Sequence, residues 1–409
     1  MLSFLKKYWH FSIAYAAKFW YRSPATKLYV IGITGTKGKS STAEMMNAIL
    51  EEAGYRTALA STIRFKIDAD SRPNLFKMTM PGRGFLQKFF SEARRKDCTH
   101  AVLEVTSEGA RQFRHRGIDL NALIFTNIAP EHIESHGSYE NYKKAKLSIG
   151  YSLVASKKRP RIVVANPEDE LGEKFLKLPV ERAVPFRIAD AEPYTLLEGG
   201  VTMTFSGVTF PMAFPGTFSI LNALAAATIA RELGIPSETI GRALSRLSTI
   251  LGRAEKIERG QDFTVIVDYA HTPDSLSALY GAFPDKRKIC VLGNTGGGRD
   301  TWKRPLMGSI AENACDIVIL TNEDPYDEDP VQIIESMAKG MERKKPLILL
   351  DRREAIGRAL SLAKTGDVVL ITGKGTDPFI MGAKGAKTLW SDSRVAGEEL
   401  DLLLGNKTS

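Results

Sequence analysis

At 409 residues the chain exceeds one ordinary core and suits two or three domains. Its 43% hydrophobic and 25% charged residues are the makeup of a soluble globular protein. The net charge of +9 is unevenly placed: Lys6, Lys7, Lys18, Arg22 and Lys27 supply five positive charges within residues 1–27, which carry no acid. The rest is only mildly basic, which argues against a nucleic-acid-binding protein.

The first segment, 1–27, is expected to be helical. Phe4, Tyr8, Phe11, Tyr15 and Phe19 recur at helical spacing and form an aromatic stripe. Lys18 and His10 interrupt it, so it is too short between charges to cross a bilayer, and it lacks the pattern of a signal peptide. A helix packed on its own protein and an interfacial helix touching anionic lipid through residues 1–24 both fit.

From residue 28 short apolar runs alternate with helical ones. "KLYVIGI" feeds a glycine loop, and "STAEMMNAILEEAGY" reads as a helix ending at Gly54. Residues 100–105, 122–128 and 161–166 suit buried parallel strands. Residues 193–214 alternate and turn at glycines, predicting an antiparallel patch, and 220–234 form a strong helix. A second series has strands at 263–270, 288–293, 316–322, 346–350 and 367–373. The expected fold is α/β: a P-loop-type central ATPase domain over 28–249 with a mostly parallel sheet, then a Rossmann-like α/β domain over 250–409. Cys98, Cys290 and Cys315 lack metal-type spacing and make an odd count, which predicts buried thiols in a reducing, cytoplasmic setting.

The chemistry begins at "GTKGKSST", residues 35–42. A strand, then Gly35, Thr36 and Gly38, then a helix, brings free backbone N–H groups and a helix N-terminus to one point, a setting for phosphate. Lys39 suits β/γ-phosphate charge, and the hydroxyl of Ser40 or Ser41 suits Mg²⁺. Glu104 closes a buried apolar strand and delivers a hard oxygen ligand to the same sheet edge. His132 follows strand 122–128 at that edge.

These blocks resemble the Mur ligase superfamily, ATP-dependent amide-forming enzymes of bacterial cell-wall synthesis. "LEVTSEGARQFR", "FTNIAPEHIESHGSYENYKKAK", "LGRAEKI", "VDYAHTPDSL", "KRPLMG" and "NEDPYDEDP" occur in family order. They are most similar to the UDP-N-acetylmuramyl-tripeptide synthetase branch, over about residues 28 to 380. The resemblance implies that Glu104, His132 and Ser40 serve magnesium. It also implies that Lys146 is carbamylated by CO₂ and helps place a second magnesium. On residues alone, "YKKAK" offers three equivalent lysines. By the same resemblance Asn222 lies near adenine, and Arg253 and Asp268 meet phosphate and ribose. Asn222 reads equally well as a polar group at a helix start, and His271 as a brace for the turn before Pro273. Arg299 and Lys303, in the glycine cluster "LGNTGGGRDTWKRPLMG", match a loop near the catalytic cleft and suit an acyl-phosphate or substrate carboxylates.

The implied reaction passes the γ-phosphoryl of ATP to a carboxylate and lets an amine attack the acyl-phosphate, with Lys39, Lys146 and His132 as catalytic residues and a closing interdomain cleft. The acceptor is expected to be a muramyl peptide, with a non-wall carboxylate polymer or a non-catalytic nucleotide-binding partner as alternatives. Two departures stand out. About 27 residues precede the first strand, too few for the family's UDP-binding domain, so the sugar nucleotide is held differently or is not the acceptor. The amino-acid pocket motif "D-N-P-R" reads "EDPY", with Asp324 and Tyr326 in its last informative places, and "GKGHE" reads "GKGTD", ending at Asp377. Loss of the arginine and gain of acids favour a cationic amine such as lysine over diaminopimelate. Glu108 likewise stands where the family has histidine.

Overall fold

A computed structural model describes residues 16–82 and 84–405. The chain divides into two compact units, residues 1–213 with 217–248, and residues 214–216 with 249–409. Most of the aromatic stripe lies outside the described residues. Of its described end, Phe19 and the adjoining Trp20 are 88% and 81% exposed.

The first unit is built on strands β1 (Tyr29–Thr34), β2 (Thr57–Ala60), β3 (Arg64–Ile67), β4 (Asp70–Pro73), β5 (His100–Glu104), β6 (Ala122–Phe125), β7 (Ile162–Ala165) and β8 (Arg182–Pro185). Their order is β4-β3-β2-β5-β1-β6-β7-β8. Strands β2, β5, β1, β6, β7 and β8 run parallel, and β3 and β4 add an antiparallel edge. The parallel centre needs apolar residues on both faces, which is why Val30, Ile31, Ala101, Val102, Leu123 and Ile124 are fully buried. Helices α1 (Lys39–Glu52), α2 (Phe85–Arg95), α3 (Tyr139–Val154) and α4 (Thr217–Glu232) pack around it. Strand β1 lies between β5 and β6, with β2 and β5 to one side and β6 to β8 to the other. The loop after β1 therefore sits at a topological switch point, where α/β sheets bind ligands. Strands β9 (Thr195–Leu197), β10 (Gly200–Phe205) and β11 (Val208–Met212) form the antiparallel patch.

The second unit carries β12 (Glu255–Lys256), β13 (Thr264–Asp268), β14 (Lys288–Leu292), β15 (Ile317–Leu320), β16 (Leu347–Ile348) and β17 (Val368–Thr372), in the order β12-β13-β17-β14-β15-β16. All pairs but β12–β13 are parallel. Helix α5 (Lys303–Ala314) crosses from β14 to β15. One sequence expectation is corrected here: Cys290 and Cys315 are joined in a disulfide, with Cα atoms 6.1 Å apart, and only Cys98 is a buried free thiol. Cys290 lies within β14 and Cys315 just precedes its neighbour β15, a pairing that a 25-residue separation does not reveal.

A buried ion pair ties the second unit together. Arg352 donates to both Asp392 oxygens at 2.7 Å, and the two side chains are 1% and 0% exposed. Arg352→Met would leave Asp392 buried without its cation, and we expect the substitution to cost about 3–5 kcal/mol in urea unfolding followed by circular dichroism.

Candidate functional site

Two glycines shape the phosphate loop in the first unit. Gly38 precedes α1 at φ 76°, and a Cβ there would lie 2.1 Å from the Asn222 Oδ1. At Gly35 a Cβ would meet the Thr126 Oγ1 at 1.9 Å. The loop after β6 pins the turn. Thr36 N–H donates to the Asn127 carbonyl at 2.8 Å and Lys37 N–H to its Oδ1 at 2.9 Å, while Thr126 Oγ1 donates to the Lys37 carbonyl at 2.7 Å. No side chain caps α1, so its first N–H groups face the loop without an intrahelical partner. Lys39 Nζ rests on the Thr36 carbonyl at 2.8 Å, and Ser41 sits partly exposed in the first turn.

Glu104, 1% exposed, ends β5 beside this loop. Its Oε2 accepts from Ser40 Oγ at 3.1 Å, from Thr62 N–H at 2.8 Å and from Thr62 Oγ1 at 2.9 Å. These donors are neutral, so the charge of a buried carboxylate still calls for a cation. A hard carboxylate with a hydroxyl beside it, in a cradle that side chains would fill, fits Mg²⁺ carried by a polyphosphate.

Lys146, 2% exposed, reaches from α3 and donates to the Gly35 carbonyl. Burial, with Lys39 nearby, holds its ammonium well below the ordinary lysine range. His132 is not drawn in to the same degree. It stands at φ 56° before a short helical turn, its side chain 53% exposed and 3.9 Å from the Glu131 carboxylate. Asn222, on α4, accepts from Thr42 Oγ1 at 3.3 Å and braces the phosphate loop directly. Thr62 was missed by sequence reasoning, because only the fold brings the β2–β3 turn to Glu104.

In the second unit the ends of β13 and β17 gather a separate cluster. Asp268 accepts from Ala254 N–H at 2.6 Å and Ala270 N–H at 2.7 Å, and burial pushes its carboxyl up against the pull of Arg253. Arg253 stacks 4.4 Å over the Tyr269 ring, and a Cβ on Gly375 would come 3.0 Å from its Nη1. His271 Nδ1 meets the Tyr269 carbonyl at 2.6 Å, inside the turn.

The pocket motif is also rearranged. Lys374, 1% exposed in its side chain, donates to Asp324 Oδ1 at 2.8 Å and pairs with Asp377 at 3.3 Å. Tyr326 carries φ 53°, and the Arg299 guanidinium lies 5.0 Å over its ring. The acids that suggested a cationic substrate thus already hold a lysine, and a guanidinium reaches the position where the motif lost one. Lys303 is buried at the start of α5, where its neighbour Arg304 bridges Glu328 and Asn294. Sequence reasoning missed Glu323. It is 3% exposed, its Oε1 accepts from Thr295 Oγ1 at 2.8 Å, and its buried Oε2 has no hydrogen-bond partner.

Residues 33–230 match the Mur ligase middle domain and residues 252–375 the Mur ligase, glutamate ligase domain. The chain belongs to the Mur ligase family. By class it is an ATP-dependent, ADP-forming amide ligase. A UDP-N-acetylmuramoyl-L-alanyl-D-glutamate–2,6-diaminopimelate ligase of Syntrophomonas wolfei is 35% identical over 406 residues, covering 95% of this chain and 81% of that protein. The ligase of the same name from Bacillus cereus is 33% identical, covering 97% and 83%. A solved structure of such a ligase aligns with a TM-score of 0.60 at 26% identity, over 92% of this chain and 79% of that one. The folylpolyglutamate synthase of Mycobacterium tuberculosis shares the fold with a TM-score of 0.70 at 16% identity, over 97% and 96% of the two chains.

Gly38→Ala would force a side chain into Asn222 at a left-handed backbone position. We expect nucleotide affinity to fall at least about tenfold in a fluorescent-nucleotide titration, with the fold retained.

Proposed function

We propose that this Mur ligase joins an amino acid to a muramyl-peptide-type carboxylate in the cytoplasm. The observation that carries the reading is the junction of Ser40 and Glu104 beside the Gly35–Gly38 cradle. Lys39 and the first N–H groups of α1 would hold phosphate charge, and Ser40, Glu104 and His132 would hold the metal. Magnesium, when bound, draws charge from the phosphate oxygens. The acceptor carboxylate takes the γ-phosphoryl group. The amine then forms the C–N bond as the C–O bond to phosphate breaks. Thr36, Asn222, Arg253 and Asp268 are assigned to the nucleotide, Arg253 to phosphate and Asp268 to ribose.

Lys146 is assigned as the carbamylated lysine. Its burial supports this, because a neutral amine attacks CO₂, forming an N–C bond and losing a proton. ¹³C-bicarbonate should give a carbamate resonance that disappears in Lys146→Ala. An unchanged spectrum together with full activity in that variant would remove the assignment.

For the incoming amino acid we assign Glu323 to the α-ammonium group and Arg299, stacked on Tyr326, to a carboxylate. Asp324 and Asp377 are engaged with Lys374, which favours a substrate with a second carboxylate, such as diaminopimelate, over lysine. Phosphate release with a UDP-muramyl dipeptide should be stimulated by diaminopimelate more than by lysine. Lys39→Ala should lower that rate about 100-fold or more, and Glu323→Gln should raise KM for the amino acid more than it lowers kcat. Preference for lysine would overturn the carboxylate assignment, and no stimulated release with any amino acid would overturn the ligase reading. Residues 1–24 are assigned to peripheral membrane contact, supported by the exposure of Phe19 and Trp20.

A further inference from the structure

One corner of the first unit exposes apolar side chains that the fold also holds in place. Phe19 and Trp20 end the helical stretch 16–20 almost fully exposed, and Leu75, Phe76 and Met78 are 57%, 52% and 45% exposed. Both segments reach the start of α2. A Cβ added to Gly84 would lie 2.9 Å from the Ala17 Cβ, and the next ring, Phe85, lies 5.3 Å from the Phe76 ring.

Neither group belongs to a loose loop. Asn74, 5% exposed, donates from Nδ2 to the Ser61 carbonyl at 2.9 Å and the Met78 carbonyl at 3.0 Å. Its Oδ1 accepts from Phe76 N–H at 3.0 Å. This network locks the turn that displays Leu75, Phe76 and Met78. On the other side Lys18 pairs with Asp119 at 3.8 Å, and Lys158 Nζ donates to the carbonyls of Ala25 and Leu28. A fixed and exposed apolar surface marks an interaction site rather than a packing failure.

Charge narrows the partner. Lys77 lies within the turn, and Arg22 and Lys27 follow the helical stretch. Aromatic rings beside lysines and arginines, with the nearby Asp119 paired with Lys18, suit the boundary of an anionic bilayer, where rings sit at the headgroup level and cations meet lipid phosphate.

We propose that this corner, formed by Phe19, Trp20, Leu75, Phe76 and Met78, docks on an anionic lipid bilayer. The turn continues into Thr79, whose hydroxyl lies 2.6 Å from that of Thr62, the residue bonded to Glu104. Docking would thus bring the metal-side end of the site to the membrane surface, so that an acceptor carried there is within reach. That consequence rests on the ligase reading, whereas the docking does not.

The full chain should co-sediment with vesicles of phosphatidylcholine and phosphatidylglycerol, and less so as salt is raised. Trp20→Ser with Leu75→Ser removes two exposed side chains, and should lower vesicle affinity about tenfold or more while nucleotide binding stays unchanged. Equal binding to pure phosphatidylcholine, no sedimentation of the full chain, or unaltered affinity in the double variant would overturn the proposal. So would a dimer seen by light scattering that the double variant dissolves, since a second copy would then occupy the surface. Vesicle binding without amino-acid-stimulated phosphate release would sink the ligase reading and leave the docking intact.

Discussion

The arrangement of the first unit depends on one oxygen atom. Glu104 Oε2 accepts from the phosphate loop through Ser40 and from the β2–β3 turn through the main chain and hydroxyl of Thr62. A carboxylate this deeply buried is tolerable only when its lone pairs are filled. Neutral donors fill part of that requirement, and Lys146 interacts electrostatically with the same carboxylate, so the atom that knits the elements together also suits a cation. Removing Glu104 would loosen the three segments that meet at this oxygen.

The second unit handles charge in the opposite way, with cations already in place. Lys374 stands between Asp324 and Asp377, and Arg352 is locked on Asp392. Two aromatic rings each carry a guanidinium group, Tyr269 under Arg253 and Tyr326 under Arg299. A ring covers only the face of a stacked guanidinium, and Arg253 uses an in-plane N–H on the Gly252 carbonyl. Both of these guanidinium groups lie over uncharged rings.

Much of the first unit's centre was legible in the sequence. Continuous apolar runs such as "YVIGI" can only be strands covered on both faces, and the glycines before "KSST" announce a close backbone approach. The antiparallel edge formed by β3 and β4 was not legible, because "RFKI" and "DSRP" are too polar to register as strands; pairing holds them together, with Phe65 and Ile67 packed on the core. Thr62 and Glu323 escaped for a related reason. Each is an ordinary residue whose partner lies far away in the chain. The partners of the pocket carboxylates were not legible either: a count of carboxylates cannot tell which of them Lys374 pairs with. Asn222, for which two readings were open, turns toward Gly38 because α4 packs across α1.

The link between Cys290 and Cys315 has a consequence for how this molecule comes apart. The bond encloses the glycine-rich segment 293–302 and the whole of α5 in one covalent ring. A protease that cuts the exposed Gly298–Arg299 region would leave two pieces still tethered, travelling as one band until a reductant is added. Strands β14 and β15 would stay neighbours after such a nick, so the surface loop that bears Arg299 can be severed without releasing the sheet that supports it.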